Sequence, residues 1–106
     1  MSKPLDFLQV GPFRYAVVFD REPLAIAGDA LGSTLIPEQR IIIRPGLPAD
    51  QLADTVLHEA LHALCAVAQL FSSLRTEETV VSRLAPLLLD LLRRNPRLVT
   101  LLTDRI

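Results

Sequence analysis

The spacing of hydrophobic residues along the chain changes near Gly46. Before this point, short apolar stretches are separated by Gly and Pro, whereas after it hydrophobic residues recur every three or four positions with few breakers. The first pattern is typical of short strands joined by turns, and the second is typical of amphipathic helices. The chain is therefore predicted to have an α+β fold, with a small N-terminal β-sheet followed by helices.

Three segments of the N-terminal half are predicted to be strands. Phe13–Phe19 is rich in aromatic and β-branched side chains, which favour a strand over a helix. Segments 32–36 and 40–44 flank a short turn that contains Pro, so they are predicted to form a hairpin. The second arm includes Ile41-Ile42-Ile43, which is apolar on both faces and is therefore predicted to be buried. Residues 24–29 suit a helix as well as a strand.

The first long helix is predicted to begin at a proline. Pro48 suits the first turn of a helix, and the Asp50 carboxylate complements the positive end of the helix dipole. The hydrophobic positions that follow share one face, which predicts that this helix is amphipathic and buried on one side. It is predicted to stop near residues 71–73.

A second helix is predicted to begin around Thr76, because Thr76 and the pair Glu77-Glu78 suit a helix N-terminus. Pro86 lies inside the predicted helix, so a kink is expected there. Asn95-Pro96 is predicted to end it, since Asn tolerates the left-handed cap conformation and Pro cannot continue the helix. A short last helix over 97–103 is predicted to follow.

The composition indicates one compact domain over residues 1–106. The chain has 106 residues, of which 50% are hydrophobic, so its core is real but small. Eleven basic and 12 acidic residues leave a net charge of −1, which provides no electrostatic reason to expect nucleic-acid binding.

A single cysteine, Cys65, excludes an intrachain disulfide and fits a reducing compartment. No apolar run is long enough for a membrane span and no signal peptide is evident, so a cytoplasmic protein is expected.

The only two histidines of the chain lie four residues apart, in the sequence His58-Glu59-Ala60-Leu61-His62. At this spacing two imidazoles project from one face of a helix about 6 Å apart, close enough for both to bind one zinc ion at about 2.0–2.1 Å. Glu59 lies beside the first histidine, where it can accept a proton from a metal-activated water without binding the metal. The pattern predicts a Zn²⁺ site with Glu59 as general base.

A catalytic zinc ion needs a third protein ligand and an open position for water. Glu78 at the start of the second helix is the first choice, and Glu77 is the near alternative. Neighbouring helix residues point about 100° apart, so only one of the two can face the metal. Cys65 shares the face of the histidines, but small buried cysteines are common in cores. Asp54 lies one turn before His58 and is a candidate to orient its imidazole, although such a residue is more often simply solvated.

The sequence does not indicate which group would stabilise an oxyanion. Neither histidine is spare for this role. The remaining candidates are placed only by the strands they belong to or flank: Tyr15, Arg14, Arg40 and Arg44.

Three segments of the chain resemble a known group of proteins. They are 55–64, which contains the His-Glu-x-x-His motif, 77–85, which begins Glu-Glu-Thr-Val-Val, and 91–96, which ends Arg-Asn-Pro. They resemble the minimal HExxH metallopeptidase-like proteins of phages and prophages, small relatives of the gluzincins and of the ImmA/IrrE-like and SprT-like zincins. The resemblance covers roughly residues 12 to 98.

The resemblance implies both a site and a fold. It implies that His58, His62 and Glu78 are the zinc ligands and that Glu59 is the catalytic acid and base. It also implies a zincin-like core, in which a small curved sheet packs on the HExxH helix and a second helix carries the glutamate. The edge strand of that sheet would lie beside the cleft, where an extended peptide would add to it.

The predicted function is zinc-dependent hydrolysis of peptide bonds, with a peptide or protein as substrate. The alternative is a zinc-stabilised binding or regulatory module of phage or prophage origin without catalytic turnover, because zinc can supply folding free energy that a small core lacks. A third interpretation is a helical adaptor that binds no metal. Leu98, Leu101 and Leu102 on the last helix indicate a surface for self-association.

Overall fold

The computed structural model describes residues 5–26, 28 and 30–104. These residues form four strands and four helices: β1 (Phe7–Val10), β2 (Phe13–Phe19), α1 (Glu22–Ile26), β3 (Gly32–Leu35), β4 (Arg40–Ile43), α2 (Ala49–Ala68), α3 (Leu74–Arg94) and α4 (Pro96–Thr103). The fold is α+β, as the hydrophobic pattern predicts.

The four strands form one mixed sheet in the order β1-β2-β4-β3. β1 pairs with β2, and β3 pairs with β4, in two antiparallel hairpins. The two hairpins are joined by the parallel pair β2 and β4, in which Val17 lies opposite Ile41. β1 and β3 are therefore the edge strands, and β3 has an open edge on the side away from β4.

The predicted strands are confirmed, and one strand was not predicted. β2 has the predicted bounds, whereas β3 and β4 each end one residue earlier than predicted. β1 has only four residues and forms by pairing with β2, with Phe7 opposite Ala16. In the ambiguous segment 24–29, the helix α1 extends to Ile26, and the segment also includes residues outside the described part of the chain.

The core lies between the sheet and α2. Its buried cluster takes residues from three strands and from α2: Val10, Tyr15, Val17, Ile41, Ile43 and Ala63. Ile41 and Ile43 share this face because side chains alternate along a strand, while Ile42 lies on the opposite face and is also buried. α1 lies against β4 and contributes the fully buried Leu24. The predicted burial of all three isoleucines is confirmed.

α2 begins after Pro48, which is its N-cap residue, and Asp50 lies in its first turn. It ends at Ala68, because Gln69 adopts the left-handed conformation (φ 52°, ψ 45°) and its N–H bonds back to the carbonyls of Cys65 and Ala66. The prediction that this helix stops near 71–73 was therefore about three residues too late.

α3 begins two residues earlier than predicted. The hydroxyl of Ser73 accepts a hydrogen bond from the main-chain N–H of Thr76, so Ser73 is the N-cap and Thr76 lies within the first turn. The helix continues through Pro86 to Arg94. Asn95 does end it, but with φ −128° rather than in the predicted left-handed conformation, and its side-chain amide donates to the Leu91 carbonyl.

α2 and α3 pack against each other as an antiparallel pair. Val81 and Ala85 of α3 are buried, which brings the start of α3 beside the middle of α2. At the opposite end, Nη1 of Arg93 lies 2.9 Å from Oδ1 of Asp50. This pairing sets which α3 side chains lie opposite the histidines.

The predicted last helix is confirmed, and it begins at Pro96, one residue before the predicted range 97–103. Leu101 and Leu102 are exposed and Leu98 is half-buried, so self-association through this surface stays a prediction. Within the described part of the chain, no helix is long and apolar enough to cross a membrane.

A substitution at Gly32 tests the close approach of β3 to α2. A Cβ atom at Gly32 would lie 2.9 Å from Cγ2 of Thr55 and 3.0 Å from Cγ of Glu59. The overpacking cost of about 1–3 kcal/mol exceeds the roughly 0.5–1 kcal/mol that Ala contributes in place of Gly in a strand. We therefore expect Gly32→Ala to lower the free energy of unfolding measured in urea, and the neighbouring Ser33→Ala to change it by less. Equal effects would contradict the close contact.

Candidate metal centre

Two helices bring three potential metal ligands together. His58 and His62 lie on one face of α2, with ring centroids 4.9 Å apart. Glu78 reaches them from the start of α3: its Oε1 lies 3.0 Å from Nε2 of His58, and its Oε2 lies 2.7 Å from Nε2 of His62. The potential ligand atoms of the three residues all lie within 4.8 Å of one another.

The donor atoms have the chemistry of a zinc site, and their spacing is near that of one. Zinc is bound by imidazole nitrogen and carboxylate oxygen at about 2.0–2.2 Å, so neighbouring ligand atoms of a tetrahedral site lie roughly 3.4 Å apart. The separations of 2.7 and 3.0 Å between imidazole and carboxylate are a few tenths of an ångström shorter. An outward movement of the exposed Glu78 side chain would lengthen both separations towards the zinc value.

Glu77 contacts the same histidine from the other side of its ring. Nδ1 of His62 donates a hydrogen bond to Oε2 of Glu77 at 2.6 Å, and Glu77 is buried. This bond places the proton on Nδ1 and leaves Nε2 directed at Glu78, as in metal sites where a carboxylate orients a ligating histidine. The alternative between Glu77 and Glu78 therefore has a geometric answer, since only Glu78 lies at the converging nitrogens.

Glu59 lies beside the three donors but is not one of them. It is buried, and its Oε2 lies 4.0 Å from Nε2 of His58. Its Oε1 accepts a hydrogen bond of 2.7 Å from the hydroxyl of Thr34 on β3. Burial raises the pKa of Glu59, although the Thr34 hydrogen bond and the two histidines partly oppose the rise.

The charges of His62 and Glu78 stabilise each other. Burial disfavours the charged imidazole, but the hydrogen bonds to Glu77 and Glu78 outweigh it and raise the pKa of His62. For Glu78, partial burial is outweighed by a hydrogen bond from the Ser82 hydroxyl and by the histidines, so its pKa is lowered. A cation that binds here must therefore compete with the proton of His62.

The donors lie in an open cleft of about 660 Å³ between β3, α2 and α3. This volume is within the range of small-ligand sites. β3 contributes one wall through Gly32, Ser33 and Thr34, and the start of α3 contributes Leu74 and Arg75. Glu59 is also among the lining residues, so it is reached from this cleft.

The residues considered as oxyanion stabilisers lie elsewhere. Tyr15 is buried in the core, and the Arg14 guanidinium stacks 3.8 Å from the centroid of the Phe7 ring. Arg44 donates to the carbonyl of Ala30, and neither it nor Arg40 lines the cleft. Arg75, which the sequence did not single out, is the arginine that does line it.

The two other candidates have separate environments. Cys65 is a buried free cysteine and does not belong to the group of converging donors. Asp54 lines the cleft, but its Oδ1 is buried without a hydrogen-bond partner among the described residues, and no hydrogen bond joins Asp54 to His58 there.

Thr34 and Ser82 are the site residues that the sequence interpretation missed. Ser82 lies one turn after Glu78, and its hydroxyl donates to Oε1 of Glu78 at 2.7 Å. Helical spacing was a usable signal for that contact. Thr34 lies 25 residues from Glu59, and no local pattern predicts the hydrogen bond between them.

No protein-family model, no curated protein and no solved structure matches this chain. The functional argument therefore depends on the chemistry of the site itself.

Substitution of the two adjacent glutamates tests their different roles in zinc binding. Glu78→Ala removes a donor and is expected to abolish stoichiometric binding, whereas Glu77→Gln only loosens His62 and is expected to weaken affinity about 10–100-fold. The zinc affinity of both variants is measured by competition with a chromophoric chelator. Glu38→Gln, an exposed turn substitution, is the control. A stronger effect at Glu77 than at Glu78 would reverse the assignment.

Zinc affinity is expected to depend on pH through His62. Only neutral imidazole binds a metal, so zinc must compete with the proton. Because the pKa of His62 is raised, affinity is expected to fall as the pH decreases through that raised value, and the fall begins above the ordinary histidine pKa of about 6.5.

Glu77→Gln removes one cause of the raised pKa of His62. The pH at which zinc affinity falls is therefore expected to be lower in Glu77→Gln than in the wild type. Zinc titrations of both proteins between about pH 5.5 and 8.5 measure this shift. An unchanged midpoint would contradict a role for Glu77 in holding the proton on His62.

Proposed function

We propose that this chain is a zinc-dependent metallopeptidase with a minimal zincin-like fold. The observation that carries the proposal is the placement of a buried glutamate, Glu59, beside two histidines and a carboxylate that converge, within an open cleft. The resemblance of the motif segments to minimal phage and prophage HExxH proteins supports the same reaction. The proposed ligands are His58, His62 and Glu78.

The donor set fits one zinc ion and leaves room for water. Two imidazole nitrogens and one carboxylate are a ligand set of catalytic rather than purely structural zinc sites, which usually have four protein ligands. When bound, zinc would supply Lewis acidity, which acidifies a water molecule and polarises a substrate carbonyl. Glu77 would hold His62 in the orientation and protonation state that this binding requires.

Glu59 has the position and proton affinity of a general base. Its Oε2 faces the histidine ligands without reaching them, so it can accept the proton of a water molecule bound between them. Burial raises the pKa of Glu59, which makes the carboxylate a better proton acceptor and, once protonated, a donor to the leaving amine.

The open edge of β3 favours an extended peptide as substrate. The main-chain N–H of Arg44 bonds to the carbonyl of Leu31, so alternate residues of β3, among them Ser33, exchange hydrogen bonds with β4. The main-chain groups of Gly32 and Thr34 consequently face the open edge. A peptide that adds there forms main-chain hydrogen bonds directly beside Glu59.

A second candidate function is a zinc-stabilised module without turnover. It is favoured by the shallow packing of α3, which buries little more than Glu77, Val81 and Ala85. Zinc bound by α2 and α3 together would add folding free energy. Circular dichroism after chelation discriminates the two: loss of α3 helicity favours the module, whereas a retained fold with lost hydrolysis favours the peptidase.

Glu59→Gln tests the proposed mechanism. The amide has the same shape but cannot accept the proton, so hydrolysis is expected to fall by about 10²–10⁴-fold with zinc stoichiometry unchanged. Cleavage of a mixed peptide library by the zinc-loaded protein is followed by mass spectrometry, with Glu38→Gln as the matched control. No cleavage by the zinc-loaded wild type, or equal cleavage by Glu59→Gln, would refute the mechanism.

A further inference from the structure

Thr34 connects the open edge strand to Glu59. Its hydroxyl lies 2.7 Å from Oε1 of Glu59 and 3.1 Å from the main-chain oxygen of the same residue. Gly32, two residues earlier on the same face of β3, lies so close that a Cβ atom there would meet Oε2 of Glu59 at 3.1 Å. β3 therefore confines the Glu59 carboxylate from one side.

The two oxygens of Glu59 are not equivalent. Oε1 is occupied by the Thr34 hydroxyl, which has a single hydrogen to donate. Oε2 is the oxygen 4.0 Å from Nε2 of His58, towards the converging donors. Thr34 thus determines which oxygen faces the position where water would react.

We propose that Thr34 is a positioning residue that holds Glu59 for proton transfer, and this inference rests on the proposed peptidase function. The water oxygen adds to the carbonyl carbon of the peptide as its proton passes to Oε2. This proton then passes to the amide nitrogen as the C–N bond breaks and the amine leaves, while the Thr34 hydroxyl keeps its hydrogen bond to Oε1 throughout. Such a contact lowers the barrier by holding the reacting groups in the productive geometry.

The hydrogen bond from Thr34 to Glu59 would also respond to a peptide bound at β3. The main-chain N–H and C=O of Thr34 face the open edge of β3, whereas its side chain faces α2. A peptide that pairs with β3 therefore fixes the same residue that orients the base. Loss of the hydroxyl is expected to slow the chemical step while leaving the main-chain binding groups in place.

Two substitutions separate positioning from packing. Thr34→Val keeps the shape of the side chain but removes the hydroxyl, and Thr34→Ser keeps the hydroxyl but removes a methyl group. We expect Thr34→Val to lower kcat about 10–100-fold, less than loss of the base itself, with KM and zinc stoichiometry close to wild type. Thr34→Ser is expected to recover most of kcat. Thr100→Val on α4 is the matched control.

The outcomes distinguish this inference from the proposed function. A wild type that cleaves no peptide overturns both. An active wild type with an unchanged kcat in Thr34→Val overturns the role of Thr34 alone. The role is also overturned if Thr34→Ser is no better than Thr34→Val, or if the loss of activity follows from lost zinc.

A separate observation concerns a hydrophobic stripe on the surface of α3. Val80, Leu84, Leu87 and Leu91 are 38%, 45%, 68% and 47% exposed, and they follow each other at steps of four, three and four residues. This is the spacing of a helix–helix seam. The stripe lies beside the face that α3 packs on α2, so it is available to a further helix.

The stripe is complementary to a second copy of itself. Because its spacing is the same in both directions, an antiparallel α3 from another molecule would place Val80 against Leu91 and Leu84 against Leu87. The exposed Arg83 would then lie opposite Asp90 of the second copy, and the reverse pair would form by symmetry. Asp90 accepts from Arg94 through Oδ1, which leaves Oδ2 for this contact.

We infer that the α3 stripe is the interface of a symmetric antiparallel dimer. Charge complementarity favours a second copy over a different occupant, since Arg83 of each copy would meet Asp90 of the other. This inference does not depend on the metal site.

The mass of the protein in solution tests the dimer. Light scattering after size exclusion, at about 1 to 200 µM, is expected to show a dimer that dissociates on dilution. Leu87→Glu is expected to give a monomer. Leu101→Glu, at a more exposed position on the α4 surface that the sequence indicated for self-association, is not expected to do so, and it therefore separates the α3 interface from that alternative. Arg83→Glu is expected to weaken the dimer, and the combination with Asp90→Arg is expected to restore it.

A wild type that is monomeric throughout overturns the dimer, whether the stripe then binds another protein or a membrane. Equal dissociation by Leu101→Glu, or no recovery in the charge exchange, overturns the α3 pairing.

Discussion

The antiparallel packing of α3 on α2 is the interaction on which the site depends. Val81 and Ala85 are buried against α2, and this places the start of α3 beside the histidines. The Glu78 carboxylate then lies between two imidazoles that one helix holds 4.9 Å apart. If α3 were shifted by one residue along its axis, its side chains would turn by about 100° and the donors would no longer converge.

Three glutamates of the site differ in their surroundings and hence in their chemistry. Glu78 is exposed, and its pKa is lowered because the hydrogen bond from Ser82 and the two histidines outweigh its partial burial; it is therefore suited to bind a cation. Glu77 is buried against Nδ1 of His62, where it controls the orientation of the ring. Glu59 is buried beside Thr34 with a raised pKa, which suits proton transfer. Environment, rather than residue type, separates these roles.

The edge strand β3 combines two requirements of the proposed peptide-cleaving site. The face of β3 that is turned to α2 carries Gly32 and Thr34. Gly32 has no side chain and so leaves room for Glu59, whereas the hydroxyl of Thr34 donates a hydrogen bond to it. The main-chain groups of the same two residues face the open edge. Strand alternation thus allows one short segment to contact both the proposed base and an extended peptide.

The sequence by itself determined the features that depend on neighbours along the chain. The spacing of His58 and His62 on a helix, strand β2 and the hairpin of β3 and β4 all follow from local periodicity and turn residues. Only the tertiary structure decided that Glu78, and not Glu77, lies at the Nε2 atoms of both histidines, because this depends on how α3 is rotated against α2. The short strand β1 and the Thr34 contact to Glu59 also required the folded chain, because each joins residues whose pairing no local pattern specifies.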